Sequence, residues 1–257
     1  MITAKENPLI KETAKLISAA KARRKSGRFA AEGLRLCRDA VLSGARIVCF
    51  MHTPSAAEKY PQEVSRISSA SERTEVISEA LMKKLSDTET PQGFLCIIST
   101  DMSGTLTALE PGAKYVGLEN IQDPSNLGTI LRTAEALGAD GVILSPDCCD
   151  IFSPKVVRGS MGAVFRLPFM ISRDLAATLR DAAGNGIASY GSTPRDADDI
   201  EDKDFSGGGI MLIGNEGSGL RKETLEICSC RVKINMKGRA ESLNASAAAA
   251  ILMYRFI

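Results

Sequence analysis

The sequence predicts an α/β protein in which a small α/β domain precedes a larger domain built on a parallel sheet. From Lys114 onward, short apolar segments alternate with helical ones, and this alternation is typical of parallel sheets with helices on both faces. The chain has 257 residues, enough for two domains of ordinary size. A stretch rich in Ser, Gly, Thr and Pro, from Asp101 to Gly112, is typical of a linker. We therefore predict domains at 1–104 and 105–257.

In the first domain, apolar spacing and turn residues predict each element in order. Helices are expected over 5–22, 29–43 and 78–86, strands over 46–51 and 93–98, and a strand with a turn within 64–76. The segment Lys21–Arg28 overlaps the end of the first helix and is expected to form a basic turn. Its Ser and Gly would let the backbone approach phosphate groups.

In the second domain, the alternation of elements is more regular. Strands are expected over 115–118, 142–144, 165–171, 187–191, 209–213 and 232–236. Helices are expected over 126–137, from Ser153, over 174–183 and 220–227, and from a cap at Ser242 or Asn244 to the C-terminus. The acidic stretch 195–205 is expected to be a solvated loop or short helix.

The net charge of +1 hides an asymmetry along the chain. Residues 1–50 hold 11 Lys and Arg against 4 Asp and Glu, a local charge of +7. A basic segment on a mildly acidic body indicates a polyanionic partner, and the alternative is a solvated helix face. The densest basic cluster consists of five residues expected to contact such a polyanion: Lys21, Arg23, Arg24, Lys25 and Arg28.

Several classes of protein are excluded by composition. No apolar run approaches the roughly 20 residues of a membrane span, and the first nine residues lack the apolar core of a signal peptide. The seven Cys form no CxxC pair and the chain has one His, so we expect no metal site. Reduced thiols predict a cytoplasmic protein.

Three loops, each placed after a predicted strand, carry the candidate chemistry. The first runs from Leu118 to Asn126, at the helix start where Asn126 can cap, and Arg132 lies six residues further on. A partly covered Arg132 would need an anion, and the alternative is a surface arginine near Glu135.

The second loop is rich in glycine. The stretch Met211–Leu220 holds three glycines between an apolar strand and a helix, but it matches neither GxGxxG nor GxxxxGK[ST], so no nucleotide site is indicated. The third, Ile234–Asn244, leads into the terminal helix, whose polar start suits a small ligand.

In this order and spacing, the three loops resemble the SpoU family of RNA 2′-O-ribose methyltransferases. The resemblance covers Tyr115–Phe256, with Val157–Pro168 similar to the family's central stretch. Residues 1–100, with Lys25–Arg35, are similar to the RNA-binding domain often attached to these enzymes. The resemblance implies an S-adenosylmethionine-dependent enzyme whose C-terminal domain carries a deep trefoil knot. In that knot Gly214, Gly217, Gly219 and Gly238 would serve tight threading.

The resemblance also implies the site residues. The catalytic set would be Asn126, Arg132, Glu216, Ser242 and Asn244. The cofactor would lie on Ile213, Gly214, Asn215, Gly217, Ile234, Met236, Ser242 and Leu243. The family's proposal makes the arginine the general base. A guanidinium has a pKa above about 12, so Arg132 either takes the proton or stabilises the developing alkoxide while holding a phosphate.

The partners follow from these expectations. The substrate is expected to be a structured RNA, with ribosomal RNA preferred to transfer RNA, and the alternative is an RNA-binding assembly factor with a degenerate cofactor site. The terminal helix is apolar on nearly every side, so its second side predicts a homodimer unless the first domain or another loop covers it.

Overall fold

The structure is a computed structural model that describes residues 1–86, 88–101, 106–240 and 242–257. The chain divides into two compact units, Met1–Ser103 with Phe152–Phe165, and Gly104–Ile151 with Arg166–Ile257. The domains predicted at 1–104 and 105–257 differ from these units in the placement of Phe152–Phe165. Aromatic packing accounts for that placement, because the ring centroids of Phe152 and Phe165 lie 4.6 and 6.2 Å from that of Phe29. Residues 102–105 of the expected linker lie outside the described residues.

The helices and strands alternate along both units. The helices, in chain order, are α1 (Pro8–Ser18), α2 (Ala20–Ser26), α3 (Leu34–Leu42), α4 (Pro54–Lys59), α5 (Pro61–Ser69), α6 (Glu79–Leu85), α7 (Pro124–Leu137), α8 (Pro154–Gly159), α9 (Leu175–Gly184), α10 (Lys222–Ile227) and α11 (Ala245–Phe256). The strands are β1 (Arg28–Glu32), β2 (Ile47–His52), β3 (Thr74–Val76), β4 (Phe94–Ser99), β5 (Lys114–Leu118), β6 (Gly141–Leu144), β7 (Phe169–Ile171), β8 (Ser189–Ser192), β9 (Asp198–Asp199), β10 (Gly209–Ile213) and β11 (Cys230–Lys233).

The first unit is built on a mixed sheet with strand order β1-β4-β2-β3. Strand β4 runs antiparallel to β1 and β2, whereas β3 runs parallel to β2. All six residues of β4 are buried, as expected for a central strand.

Two expectations for the first unit are wrong. The basic segment is not a turn, since α2 covers Ala20–Ser26. The segment predicted as a helix over 29–43 begins as a strand, because β1 pairs along its length with β4, and Gly33 at φ +98° then turns the chain into α3. The sequence prediction extended one helical period across the turn at Gly33, and so it treated β1 and α3 as a single helix. The strand expected within 64–76 is β3, and the expected turn lies at Ala70, between α5 and that strand.

The second unit contains the predicted parallel sheet. Its strand order is β7-β6-β5-β10-β8-β11-β9, and every pair is parallel. The four residues of β6 and the five of β10 are all buried, the pattern of strands covered on both faces. All carboxyl ends therefore meet at one edge, where ligands of such sheets bind.

Helix α11 packs against α7 and β10 with one face. That buried face consists of Ala245, Ala249, Leu252, Met253 and Phe256. The other side is apolar and exposed, with Ile251 at 42% and Tyr254 at 80% exposure.

Two kinds of feature are absent from the described residues. None of the helices in these residues is long and apolar enough to cross a membrane. No group of three His, Cys, Asp or Glu side chains in the described parts of the chain is placed to hold a metal ion.

Candidate active site

The loop after β5 brings Asn126 into the site from the first turn of α7. The expectation that Asn126 caps the helix is wrong, because α7 begins two residues earlier at Pro124 and the cap is Asp123, whose Oδ1 accepts the Ser125 N–H at 2.7 Å. Proline suits this first position because its missing N–H would have had no partner there. Asn126 is left 5% exposed, with its amide free to join the neighbouring loops.

Glu216, in the loop after β10, holds the first two loops together. Its Oε1 accepts the Asp123 N–H at 3.0 Å and the Asn126 Nδ2–H at 3.2 Å. Its Oε2 accepts the Gln122 N–H at 3.2 Å. Burial alone would raise the pKa of Glu216, but the hydrogen bonds from Asp123, Asn126 and Gln122 outweigh it and leave the pKa below the usual glutamate range. Glu216 is therefore an anion at neutral pH.

The third loop joins this network through Asn244. Its Nδ2 donates to Asn126 Oδ1 at 3.0 Å, while its Oδ1 accepts the Ser246 N–H at 2.9 Å as the N-cap of α11. Of the two caps considered, Ser242 and Asn244, the structure uses Asn244. A continuous chain of hydrogen bonds thus runs from Glu216 through Asn126 to the start of the terminal helix.

A cleft of about 280 Å³ lies beside this chain of hydrogen bonds at the carboxyl ends of the strands. All eight residues expected to bind the cofactor line it: Ile213, Gly214, Asn215, Gly217, Ile234, Met236, Ser242 and Leu243. The volume is near the lower end of the range for small-molecule pockets, about 300–1,000 Å³. The sequence-based grouping of these residues is therefore matched by their position in one cleft.

Other lining residues were missed by sequence reasoning. They are Ser192, Thr193, Pro194, Ser218, Gly219, Val232, Lys233, Ala245, Ala248 and Leu252, with Glu216 shared from the hydrogen-bonded network. The first three lie at the end of β8 and just beyond it, so the rule that ligands bind beyond the carboxyl ends of parallel strands could have found them. No comparable signal marks the three helical residues, whose inward side depends on how α11 packs.

The glycines of these loops differ in whether the surrounding atoms leave room for a side chain. A Cβ on Gly214 would lie 2.2 Å from Gly219 C and Leu220 N, so the backbone itself excludes a side chain. Gly219 adopts φ +68°, which favours glycine. A Cβ on Gly217 would meet only Asn215 Oδ1 at 3.7 Å, and one on Gly238 would meet nothing within 4 Å. A close backbone approach within the loop therefore excludes a side chain at Gly214, but not at Gly217 or Gly238.

A second, wider opening of about 540 Å³ adjoins the cleft. Its lining residues are Gln122, Asp123, Asn126, Glu216, Ser242, Leu243, Asn244 and Ala245. Four of the five expected catalytic residues are among them. The fifth, Arg132, lines neither opening of its own chain and is exposed on α7, so the partly covered arginine considered from the sequence is not found.

A buried carboxylate that sequence reasoning did not single out lies at the end of β5. Glu119 is 1% exposed, and its two oxygens accept the Arg221 N–H at 2.7 Å and the Thr224 hydroxyl at 2.6 Å. These bonds fix the first turn of α10 against the sheet. Through these hydrogen bonds, Glu119 fixes the end of the second loop, where it enters α10.

The expected RNA-binding cluster is not uniform. Lys21, Arg24 and Lys25 are exposed on α2, and the half-exposed Arg28 forms an ion pair with Glu12 at 3.1 Å. Arg23 is 5% exposed, and its Nη1 donates to Leu16 O at 2.7 Å and to Ile17 O at 3.2 Å. Arg23 therefore satisfies carbonyl groups at the end of α1, and the cluster presents three exposed cations on α2 rather than five.

Comparison with known proteins agrees with this architecture. The profile of the SpoU rRNA Methylase family matches residues 113–254, and that of the MRM3-like substrate binding domain matches residues 7–96. The Bacillus subtilis 23S rRNA (guanosine(2553)-2′-O)-methyltransferase RlmP is 30% identical over 98% of this chain and 97% of its own. The 23S rRNA (uridine(2479)-2′-O)-methyltransferase of Streptomyces viridochromogenes is 30% identical over 91% of this chain and 84% of its own.

A solved structure is similar over nearly the whole chain. The AdoMet-bound rRNA methyltransferase from Sinorhizobium meliloti superposes with a TM-score of 0.88 and is 29% identical, covering 99% of this chain and 95% of its own. The family profile alone spans more than half of the chain, and the loops that form the cleft lie within it. The chain therefore belongs to the SpoU rRNA methylase family.

Proposed function

We propose that this protein transfers a methyl group from S-adenosylmethionine to a ribose 2′-hydroxyl of ribosomal RNA. The observation that carries the proposal is the chain of hydrogen bonds from Glu216 through Asn126 to Asn244, placed between the cofactor cleft and the wider opening. Two relatives named as 2′-O-methyltransferases of 23S rRNA support ribosomal RNA as the substrate. Ribosomal RNA is preferred to transfer RNA on the same ground.

The residues of the cleft fit S-adenosylmethionine. Apolar side chains such as Ile213, Ile234 and Leu252 suit the flat adenine ring, while Ser192 and Thr193 offer polar groups for the ribose and the amino-acid end. Bound there, the cofactor would supply a methyl group already activated on a sulfonium sulfur. The protein then has to place the accepting hydroxyl, exclude water and receive one proton.

The three loops provide the placement. Asn126, Asn244, Glu216 and Ser242 line the wider opening together, and their polar groups can hold a ribose hydroxyl. We assign Glu216 to orienting these amides rather than to taking the proton, because its lowered pKa makes it a weak base at neutral pH.

Arg132 lines neither opening of its own chain, which supports a role in the site of a second copy. Arg132 is exposed on α7, and α7 packs against α11, whose outer side carries the exposed Ile251 and Tyr254. We propose that a homodimer formed through this outer side of α11 brings Arg132 of one copy to the wider opening of the other. There Arg132 either takes the hydroxyl proton itself, or stabilises the developing alkoxide while it holds the adjacent phosphate, so that the proton passes to that phosphate or to water. Light scattering tests the dimer, and a mass of one chain together with full activity would contradict it.

The remaining parts of the assignment also stand as proposals. The first unit would hold RNA through Lys21, Arg24 and Lys25, and the second would carry out methyl transfer. The deep trefoil knot implied by the family would involve the loops 214–219 and 236–245.

Mapping 2′-O-methyl groups in total RNA from cells with and without the gene tests this function. We expect one ribosomal position to lose its methyl group and to regain it when the wild-type gene is restored. Loss of ribosome assembly with no change in methylation would instead indicate an assembly factor with a degenerate cofactor site. Loss of a methyl group from transfer RNA would overturn the choice of substrate.

A further inference from the structure

Asn215 lines the cofactor cleft, yet its side chain is occupied by the protein. Its Oδ1 accepts the Gly217 N–H at 3.0 Å, the Ser218 N–H at 3.1 Å and the Ser218 hydroxyl at 3.2 Å. Its Nδ2 donates to Asn120 O at 2.8 Å and to Glu216 Oε2 at 3.3 Å. An amide has two acceptor lone pairs and two donor hydrogens, so little capacity is left for a ligand.

These bonds shape the loop that carries Glu216. The backbone of Asn215 pairs with that of Gly219 in both directions, at 3.1 and 3.0 Å, and closes a short loop. Within it, the acceptor side of the Asn215 amide holds the N–H groups of Gly217 and Ser218. Glu216 therefore lies between Asn215 itself and a residue that is hydrogen-bonded to the Asn215 side chain.

The donor side of the same amide reaches the first loop. Asn120 adopts φ +55°, an uncommon conformation for a residue other than glycine, and its carbonyl accepts the Asn215 Nδ2–H. Two and three residues later, Gln122 and Asp123 donate their N–H groups to Glu216. Asn215 thus spans the two loops whose separation decides whether these bonds to Glu216 form.

We propose that Asn215 is a positioning residue that acts through Glu216, and that its side chain is not a cofactor contact. This inference rests on the proposed function only for its effect on catalysis, because the geometry at Glu216 is measurable without methyl transfer. The acceptor side of the Asn215 amide shapes the loop, and its donor side sets the distance between that loop and Asn120. Aspartate, which has nearly the same shape, supplies only the acceptor side when it is ionised.

The substitution Asn215→Asp separates the two sides of the amide. Aspartate keeps the acceptor for Gly217 and Ser218 but loses both donor bonds, and it places a carboxylate beside Glu216. Two neighbouring carboxylates resist double ionisation, so the pair should titrate with one pKa raised by about one unit or more. Asn215→Ala adds no charge and should give a smaller rise through the lost donor bond.

The direct test is a ¹³C NMR titration of the Glu216 carboxyl carbon in the full-length protein, assigned with Glu216→Gln. S-adenosylmethionine affinity is measured by calorimetry on the same samples. Asn185→Asp is the matched control, because it makes the same charge change at the end of α9, at the opposite edge of the sheet. We expect Asn215→Asp to shift the titration upward, to keep cofactor affinity within about threefold, and to move the acid limb of the kcat profile with the titration.

Each outcome bears on the inference. An unshifted Glu216 titration in Asn215→Ala would overturn it, because the shift in Asn215→Asp also contains the direct repulsion between the two carboxylates. A tenfold loss of cofactor affinity with the titration unchanged would also overturn it, since that result would make Asn215 a cofactor contact. If Asn215→Asp fails to fold, Asn215→Ala carries the same test with the smaller shift. A wild-type protein without methyl transfer but with the expected titrations would overturn the proposed function and leave the positioning role supported.

Discussion

The carboxyl edge of the parallel sheet and the basic helix α2 were both expected from the sequence to be functional, and they differ in how far the structure agrees. At the sheet edge, all eight expected cofactor residues line one cleft. On α2, one of the expected RNA contacts, Arg23, is buried and satisfies carbonyls at the end of α1.

The difference lies in what each pattern constrains. A glycine-rich loop after a buried strand fixes where its residues must lie, because parallel strands end at a common edge. A cluster of basic residues fixes only composition, and a long arginine can cap a helix as readily as contact phosphate. A motif tied to backbone geometry therefore predicts where its side chains lie in the fold. A high density of charge predicts only which segment is basic, and not which of its side chains are exposed.

The largest effect is expected at the centre of the sheet-edge site. Glu216→Gln keeps the shape of the side chain but replaces a carboxylate that accepts four N–H groups with an amide that can accept at one end only. We expect methyl transfer to fall by about 10²–10³-fold, the range for loss of a preorganised electrostatic group. Labelled methyl incorporation into RNA measures it.

The pH dependence of the Glu216 carboxylate has a definite sign. Its folded pKa is depressed, so its contribution to stability is present above the unfolded pKa and is lost as the pH falls through the folded value. Thermal unfolding of wild type and Glu216→Gln should therefore converge at acidic pH. Cofactor affinity of the variant within a few-fold of wild type serves as the control for an intact cleft.

The next effect concerns Arg132, which lines neither opening of its own chain. Arg132→Ala should reduce methyl transfer by about 10²-fold with cofactor affinity nearly unchanged, and Arg132→Lys should not restore it because a point charge lacks the planar fork. Full activity of Arg132→Ala would remove this residue from the mechanism.

Mixing two inactive variants distinguishes a partner's arginine from an arginine in the same chain. In mixed dimers of Arg132→Ala with Glu216→Gln, a site built across the interface would hold Glu216 from one copy and Arg132 from the other. Equal mixing with subunit exchange should then restore about a quarter of wild-type activity. No recovery, with mixed dimers shown to form, would place both residues in one chain.

A smaller effect separates the glycines of the second loop. Gly214→Ala forces a Cβ against the backbone of Gly219 and Leu220, so the loop must shift. We expect a loss of stability of about 1–3 kcal/mol together with weaker cofactor binding. Gly217→Ala has open space and should preserve both properties in thermal unfolding and calorimetry. Equal effects of the two substitutions would show that the contact at Gly214 is not limiting.

The smallest effect on catalysis is expected from α2. Replacing Lys21, Arg24 and Lys25 together with alanine should weaken RNA binding and reduce the salt slope by about 0.7–0.9 per lost phosphate contact. Arg23→Ala should leave the salt dependence of RNA binding unchanged. It should lower the midpoint of thermal unfolding, because two carbonyl groups of α1 lose their hydrogen-bond donor. A reduced slope in Arg23→Ala alone would reverse this division of roles.

Much of the second unit could be predicted from the sequence, and less of the first. Strands β5, β6 and β10 lie where their apolar runs predicted, because fully buried strands leave a strong signal. Strand β1 was predicted as helix, since five residues with alanines fit either period and only pairing with β4 decides. The burial of Arg23 was likewise invisible, because it depends on where α1 ends.

The site was predictable in its members but not in its connections. The resemblance to the family grouped Glu216, Asn126 and Asn244, yet nothing in the sequence indicates that Asn126 bridges the other two. The cap of α7 moved to Asp123 because Pro124 fits the first helical turn, a signal that was present but not used. The residues after β8 were missed because no motif marks them.

The most direct test of the central claim is transfer of a labelled methyl group from S-adenosylmethionine to ribosomal RNA by the purified protein, mapped to single nucleotides. A methyl group on the 2′-oxygen protects the adjoining phosphodiester bond from alkaline cleavage, so the labelled atom can be identified. We predict label on one ribose 2′-oxygen with wild type and Gly217→Ala, and at background level with Glu216→Gln. Label on a base, or equal incorporation by Glu216→Gln, would contradict a site built on the chain of hydrogen bonds from Glu216 to Asn244.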